Sequence, residues 1–134
     1  MAELAVVRLP ALVGGQAESW RSLIEIAPLL GQNWLLIGGQ MVFLHEAECQ
    51  STDVRPTNDV DLVVDLRVEP KALDHTHNVL IEAAFEQDLP SPEGVAHRYR
   101  RGGATIDVLA PNRIGRRARP QSRGRYGDRR TVVR

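Results

Sequence analysis

Asp59 and Asp61 stand two positions apart in Asp59-Val-Asp-Leu-Val-Val-Asp-Leu66. On a strand this spacing projects both carboxylates from the same face, about 7 Å apart along the backbone. Two neighbouring, partly desolvated anions repel, so one takes up a proton or the strand loses stability. A hard divalent cation resolves the conflict: Mg²⁺ prefers oxygen ligands, is held by one or two carboxylates, and completes its shell with water and substrate phosphates. A third acid, Asp107, lies among apolar residues in Thr105-Ile-Asp-Val-Leu109. If that strand pairs with residues 59 to 65, Asp107 joins the site and a two-metal arrangement becomes possible.

Phosphates also need an anion-binding group. Lys71 is the only lysine, at a predicted helix start, which leaves almost no candidate for a Walker-type or Schiff-base lysine. The remaining supplier is the backbone at Gly38-Gly39, where the chain can turn sharply and the following helix offers free N–H groups and the positive end of its dipole. Each feature also has a plainer reading. The glycine pair serves equally as a tight strand-to-helix connection, and Asp59 and Asp61 as the solvent face of an edge strand. An isolated acid inside an apolar strand, as at Asp107, weighs against the plain readings because an unpaired charge there is costly.

The elements that must position these residues follow from periodicity. Trp20, Leu23, Ile24 and Ala27 predict an amphipathic helix over 17–27 that Pro28 ends. Trp34-Leu-Leu-Ile37 predicts a short buried strand, the glycines a turn, and 40–48 a second helix. In 59–66, Val60, Leu62 and Val64 take one face and Asp59, Asp61 and Val63 the other. Apolar positions over 71–86, after Pro70, predict a third helix. Residues 96–101 and 104–109 flank Gly102-Gly103, whose positive φ angles suit a tight hairpin. The expected fold is a small α/β (α+β) domain over 1–111, with a mixed sheet of about four strands and helices mainly on one side.

Seventeen basic and seventeen acidic residues cancel to a net charge of zero, but unevenly. Residues 1–97 hold five basic and fifteen acidic side chains, and residues 98–134 hold twelve Arg against Asp107 and Asp128. From residue 112 to 134 no apolar period survives, and this Arg-rich tail is expected to be disordered or partner-dependent. It reads as a nucleic-acid-binding arm, a docking segment for an acidic partner, or the product of an out-of-frame or truncated GC-rich stretch. A single cysteine, Cys49, excludes an internal disulfide and a multi-cysteine metal site. No long apolar segment or leader pattern is present, so the expected setting is cytoplasmic, with no membrane partner.

Taken together, Leu36-Ile-Gly-Gly-Gln-Met-Val-Phe-Leu-His45, Arg55-Pro-Thr-Asn-Asp-Val-Asp-Leu62 and Ile106-Asp-Val-Leu-Ala-Pro111 resemble the DNA polymerase β-like nucleotidyltransferase superfamily. The likeness is to its small prokaryotic branch of AbiEii-type toxins and minimal nucleotidyltransferases, and it covers roughly residues 17–111. The resemblance implies a phosphate-binding turn at Gly38 and Gly39, and a catalytic, metal-binding set of Asp59, Asp61 and Asp107 that holds Mg²⁺ and the triphosphate. It implies that Asp107 helps activate the attacking hydroxyl. Many members carry Gly-Ser at the turn, whereas this chain has Gly-Gly and no hydroxyl there. The expected function is transfer of a nucleoside monophosphate from an NTP to a hydroxyl of RNA (tRNA) or protein, within a toxin-antitoxin system with a toxin or antitoxin partner. The alternative is a catalytically silent or truncated member acting as a binding or antitoxin-like module.

Overall fold

The computed structural model describes residues 5–51, 57–89, 96–110 and 131–133. Its elements are β1 (Ala5–Val7), α1 (Gly14–Ile26), a 3₁₀ turn (Ala27–Leu29), β2 (Trp34–Ile37), α2 (Gly38–Glu48), β3 (Asp59–Val64), α3 (Ala72–Glu82), β4 (Glu86–Gln87), β5 (Ala96–Arg101), β6 (Ala104–Leu109) and β7 (Thr131–Val133). A mixed sheet of five strands runs in the order β2-β3-β6-β5-β4. Its central pair, β3 and β6, is parallel, and the outer pairings are antiparallel.

One face of this sheet is core. Val60, Leu62 and Val64 of β3 and Ala104, Ile106 and Val108 of β6 are fully buried, as is Tyr99 of β5. Trp20, Leu23 and Ile26 from α1, Phe43 and Leu44 from α2, and Val79 and Leu80 from α3 close over them. The helices therefore cover a single face, as the period-2 alternation of β3 requires: a strand with one apolar face needs only one covering layer. The opposite face holds Asp59, Asp61 and Asp107.

Both members of the hairpin lie where the sequence predicts them, with Arg101 paired to Ala104 across a two-residue loop. Of the glycine pair only Gly102 takes a positive φ, +56°, the requirement of the first central position of a type II′ turn. Gly103 is small for another reason. Its N–H donates to Glu18 Oε2 at 2.6 Å, and a Cβ there would press on the same carboxylate. The helix predicted over 71–86 stops at Glu82. Ala84 adopts φ +66°, the Phe85 N–H donates to the Leu80 carbonyl at 2.9 Å and the Ala84 N–H to that of Ile81 at 3.0 Å, a Schellman stop built without glycine.

The reading of 112–134 as a disordered tail falls, for residues 112–130 and 134, outside the described residues. At Thr131–Val133 the chain instead forms β7, paired in parallel with Ala5–Val7 as a separate two-stranded sheet. Thr-Val-Val is wholly β-branched, a composition suited to a strand. Among the described residues, no helix is long and apolar enough to cross a membrane.

Candidate functional site

The register of the sheet arranges its open face in rows. Ile37 on β2 pairs with Asp61 on β3, Asp61 with Asp107 on β6, and Asp107 with Arg98 on β5. One step along the strands lies a second row, Asp59, Thr105 and Arg100. On the other side lies an apolar one, Leu35, Val63, Leu109 and Ala96. The three acids predicted from sequence thus share a face, with Asp61 and Asp107 as direct neighbours on parallel strands.

Arg98 sits among them. Its Nε donates to Asp107 Oδ1 at 2.7 Å and its Nη2 to Asp107 Oδ2 at 2.6 Å, a bidentate fork, while Nη2 also reaches Asp59 Oδ2 at 3.4 Å. The Arg98 and Asp59 side chains are 40% and 45% exposed and that of Asp107 only 16%, so the fork lies at the mouth of the site with Asp107 beneath it. Asp61 receives no such bond among the described residues. Burial pushes its carboxyl above the usual carboxylate range, the charges of Asp107 and Asp59 push it further, and Arg98 opposes them. As the side chains stand, no group of three His, Cys, Asp or Glu among the described residues is arranged to hold a metal ion. The guanidinium is wedged between Asp107 and Asp59.

Gly38 brings a helix to this spot. It follows Ile37 directly, takes φ +69°, and opens α2 with no side-chain cap, so the first N–H groups of that helix are left for other acceptors. The place of its missing Cβ is filled by the Asp61 carboxylate. Gly39 is equally confined, since a Cβ there would lie 3.0 Å from Thr57 Cγ2. The glycine pair is therefore the first turn of the helix, against the acids and against the residues that lead into β3.

Those residues are fixed from below by a buried polar network that the sequence reading missed. Trp20 Nε1 donates to Gln40 Oε1 at 2.6 Å, and Gln40 Nε2 donates to the Thr57 carbonyl at 2.8 Å. Ser19 Oγ donates to the Asn58 carbonyl at 2.6 Å and accepts from the Thr105 N–H at 3.1 Å. Gln40 and Ser19 are completely buried. Buried polar groups of this kind are as a rule hydrogen-bonded, and here their partners set the height at which Asp59 leaves the loop. Arg55 lies outside the described residues.

Other titratable side chains have plainer roles. Asp65 is tied to Arg67 through two bonds of 3.1 Å at the exposed end of β3. His75 Nε2 contacts the Leu29 carbonyl and His77 Nδ1 the Tyr99 hydroxyl, so the two rings serve different neighbours. His45 and Cys49 are exposed. No family model matches this chain, and neither a curated protein nor a solved structure matches it.

Proposed function

We propose that the open face of the sheet is the active site of a Mg²⁺-dependent nucleotidyltransferase. The observation that supports it most is the row Asp61–Asp107, with Asp59 beside it, set against the uncapped start of α2 at Gly38. The donor set suits the cation. Three carboxylates face one guanidinium, which leaves two negative charges for a divalent ion, and all the donors are hard oxygens. Asp59, Asp61 and Asp107 would hold Mg²⁺, with room in the chemistry for a second ion. When bound, Mg²⁺ would neutralise the phosphates and the charge that develops on the leaving group.

The chain itself supplies the rest. Backbone N–H groups at Gly38 and Gly39 receive the phosphates, and the absence of side chains there allows close approach. Asp107 accepts the proton of the acceptor hydroxyl, whose oxygen forms a bond to the α-phosphorus as the bond to pyrophosphate breaks. The nucleoside monophosphate stays on the acceptor, an RNA such as tRNA or a protein side chain, and pyrophosphate leaves. The resemblance noted above adds a toxin-antitoxin setting, with a cognate toxin or antitoxin as partner. Incubation with each α-labelled NTP, Mg²⁺ and a cell extract tests the activity: label is expected in one macromolecular band, and nuclease or protease treatment tells which kind it is.

One observation favours a second reading. Arg98 already satisfies Asp107 and reaches Asp59, an arrangement that a catalytically silent binding or antitoxin-like module would also keep.

A further inference from the structure

We propose that Arg98 is a resident counter-cation that blocks the acidic row until a divalent ion displaces it, and that the displaced guanidinium then binds the phosphates of the ligand. The inference rests on the nucleotidyltransferase reading of the site. Arg98 is the only basic side chain that the described residues place against Asp59 and Asp107, and it engages Asp107 with both arms of its fork. Guanidinium remains protonated at any physiological pH, so the carboxylates are released only by movement of the side chain.

Room for that movement is at hand. A shallow depression of about 300 Å³ beside the row is lined by Asp88, Leu89, Ala96, Arg98, Arg100 and Asp107. Arg100, two residues on and on the same face, already turns to Asp88 there, with Nε 3.0 Å from its Oδ2. The fork that fits the two oxygens of a carboxylate fits those of a phosphate equally well. Arg98 therefore changes partners without losing hydrogen bonds: carboxylates in the metal-free state, phosphate oxygens once the cation and nucleotide have arrived.

The test compares wild type, Arg98→Gln and Arg98→Lys, as the full chain, in two calorimetric titrations. The first probe is Mg²⁺ alone and the second is inorganic triphosphate in saturating Mg²⁺. Arg98→Gln is expected to bind Mg²⁺ about tenfold more tightly and triphosphate about tenfold more weakly than wild type, changes of opposite sign that a merely structural role does not produce. Arg98→Lys keeps the charge without the fork, and is expected to bind Mg²⁺ a few-fold more tightly while retaining triphosphate binding. It carries the same test if the Gln variant fails to fold. Equal Mg²⁺ affinity in wild type and variants overturns the proposal and leaves the nucleotidyltransferase reading intact. Absence of Mg²⁺ binding in all three proteins overturns both.

Discussion

Gly38 and Asp61 share a single volume: the Asp61 carboxylate lies where a Gly38 side chain would begin, and Gly38 holds φ +69°. Alanine at this position meets two penalties, the left-handed backbone and the overlap with Asp61. Gly38→Ala is expected to cost about 2–4 kcal/mol of stability in denaturant unfolding and to remove activity from the fraction that folds. A variant as stable as wild type would mean that α2 does not approach the acid row this closely.

Much of this arrangement is legible in the sequence, and the boundary between what is and what is not has physical causes. Alternation in β3 announces that Asp59 and Asp61 share a face, because side-chain direction in a strand is local. The position of Asp107 beside Asp61 is not local; it depends on the register of two parallel strands separated by α3 and a hairpin. Arg98 was within reach. A two-residue loop that pairs Arg101 with Ala104 necessarily pairs Arg98 with Asp107, so the cation opposite the acid follows from the hairpin alone. Gln40 and Ser19 gave no sign, since a polar residue inside an apolar helix pattern acquires its meaning only from partners brought by other elements. The early end of α3 was hidden because Ala83 and Ala84 are good helix formers, and the two Schellman bonds together with the burial of Phe85 hold Ala84 in a conformation its own preference disfavours.

The charge balance of the row yields a stability prediction. Burial first, then Asp107 and Asp59, raise the Asp61 carboxyl above its unfolded value, so the metal-free fold loses stability as pH rises from the unfolded pKa through the raised one. Asp61→Asn removes that loss. At neutral pH without metal its melting temperature is expected to exceed that of wild type by about 2 °C or more, while the rise that millimolar Mg²⁺ gives the wild type disappears. A lower melting temperature for Asp61→Asn would show that Asp61 is satisfied in the metal-free fold.

Ala84 offers a gain remote from the site. It occupies the left-handed position of the stop that ends α3, with φ +66°, and is exposed. Glycine relieves the strain, so Ala84→Gly is expected to stabilise the protein by about 0.5–1 kcal/mol with activity unchanged. Denaturant titration checks this, and a loss of stability would argue against the Schellman stop.

Alkaline titration probes the core. The Tyr99 hydroxyl is buried and bonded to His77 at 2.9 Å, and burial raises its pKa to about 12. Its folded pKa therefore lies above the unfolded value of 10.0, and the stability it contributes is complete below that value and lost as pH climbs toward 12. The chain has two tyrosines. One phenolate signal should appear only as the fold is lost, and Tyr99→Phe should flatten the alkaline limb of the stability curve. If both tyrosines ionise near pH 10 in the folded protein, Tyr99 is not sealed beneath the sheet.

The most direct measurement of the central claim is transfer of label from an α-labelled NTP to a macromolecular acceptor in the presence of Mg²⁺, for wild type beside Asp61→Asn and Asp107→Asn. Wild type is expected to label its acceptor and lose the activity on chelation of Mg²⁺, and each variant to fall at least about a hundredfold, as expected when a group that holds charge in the transition state is removed. Labelling that persists undiminished in both variants, or no labelling by wild type with any of the four NTPs, would contradict it.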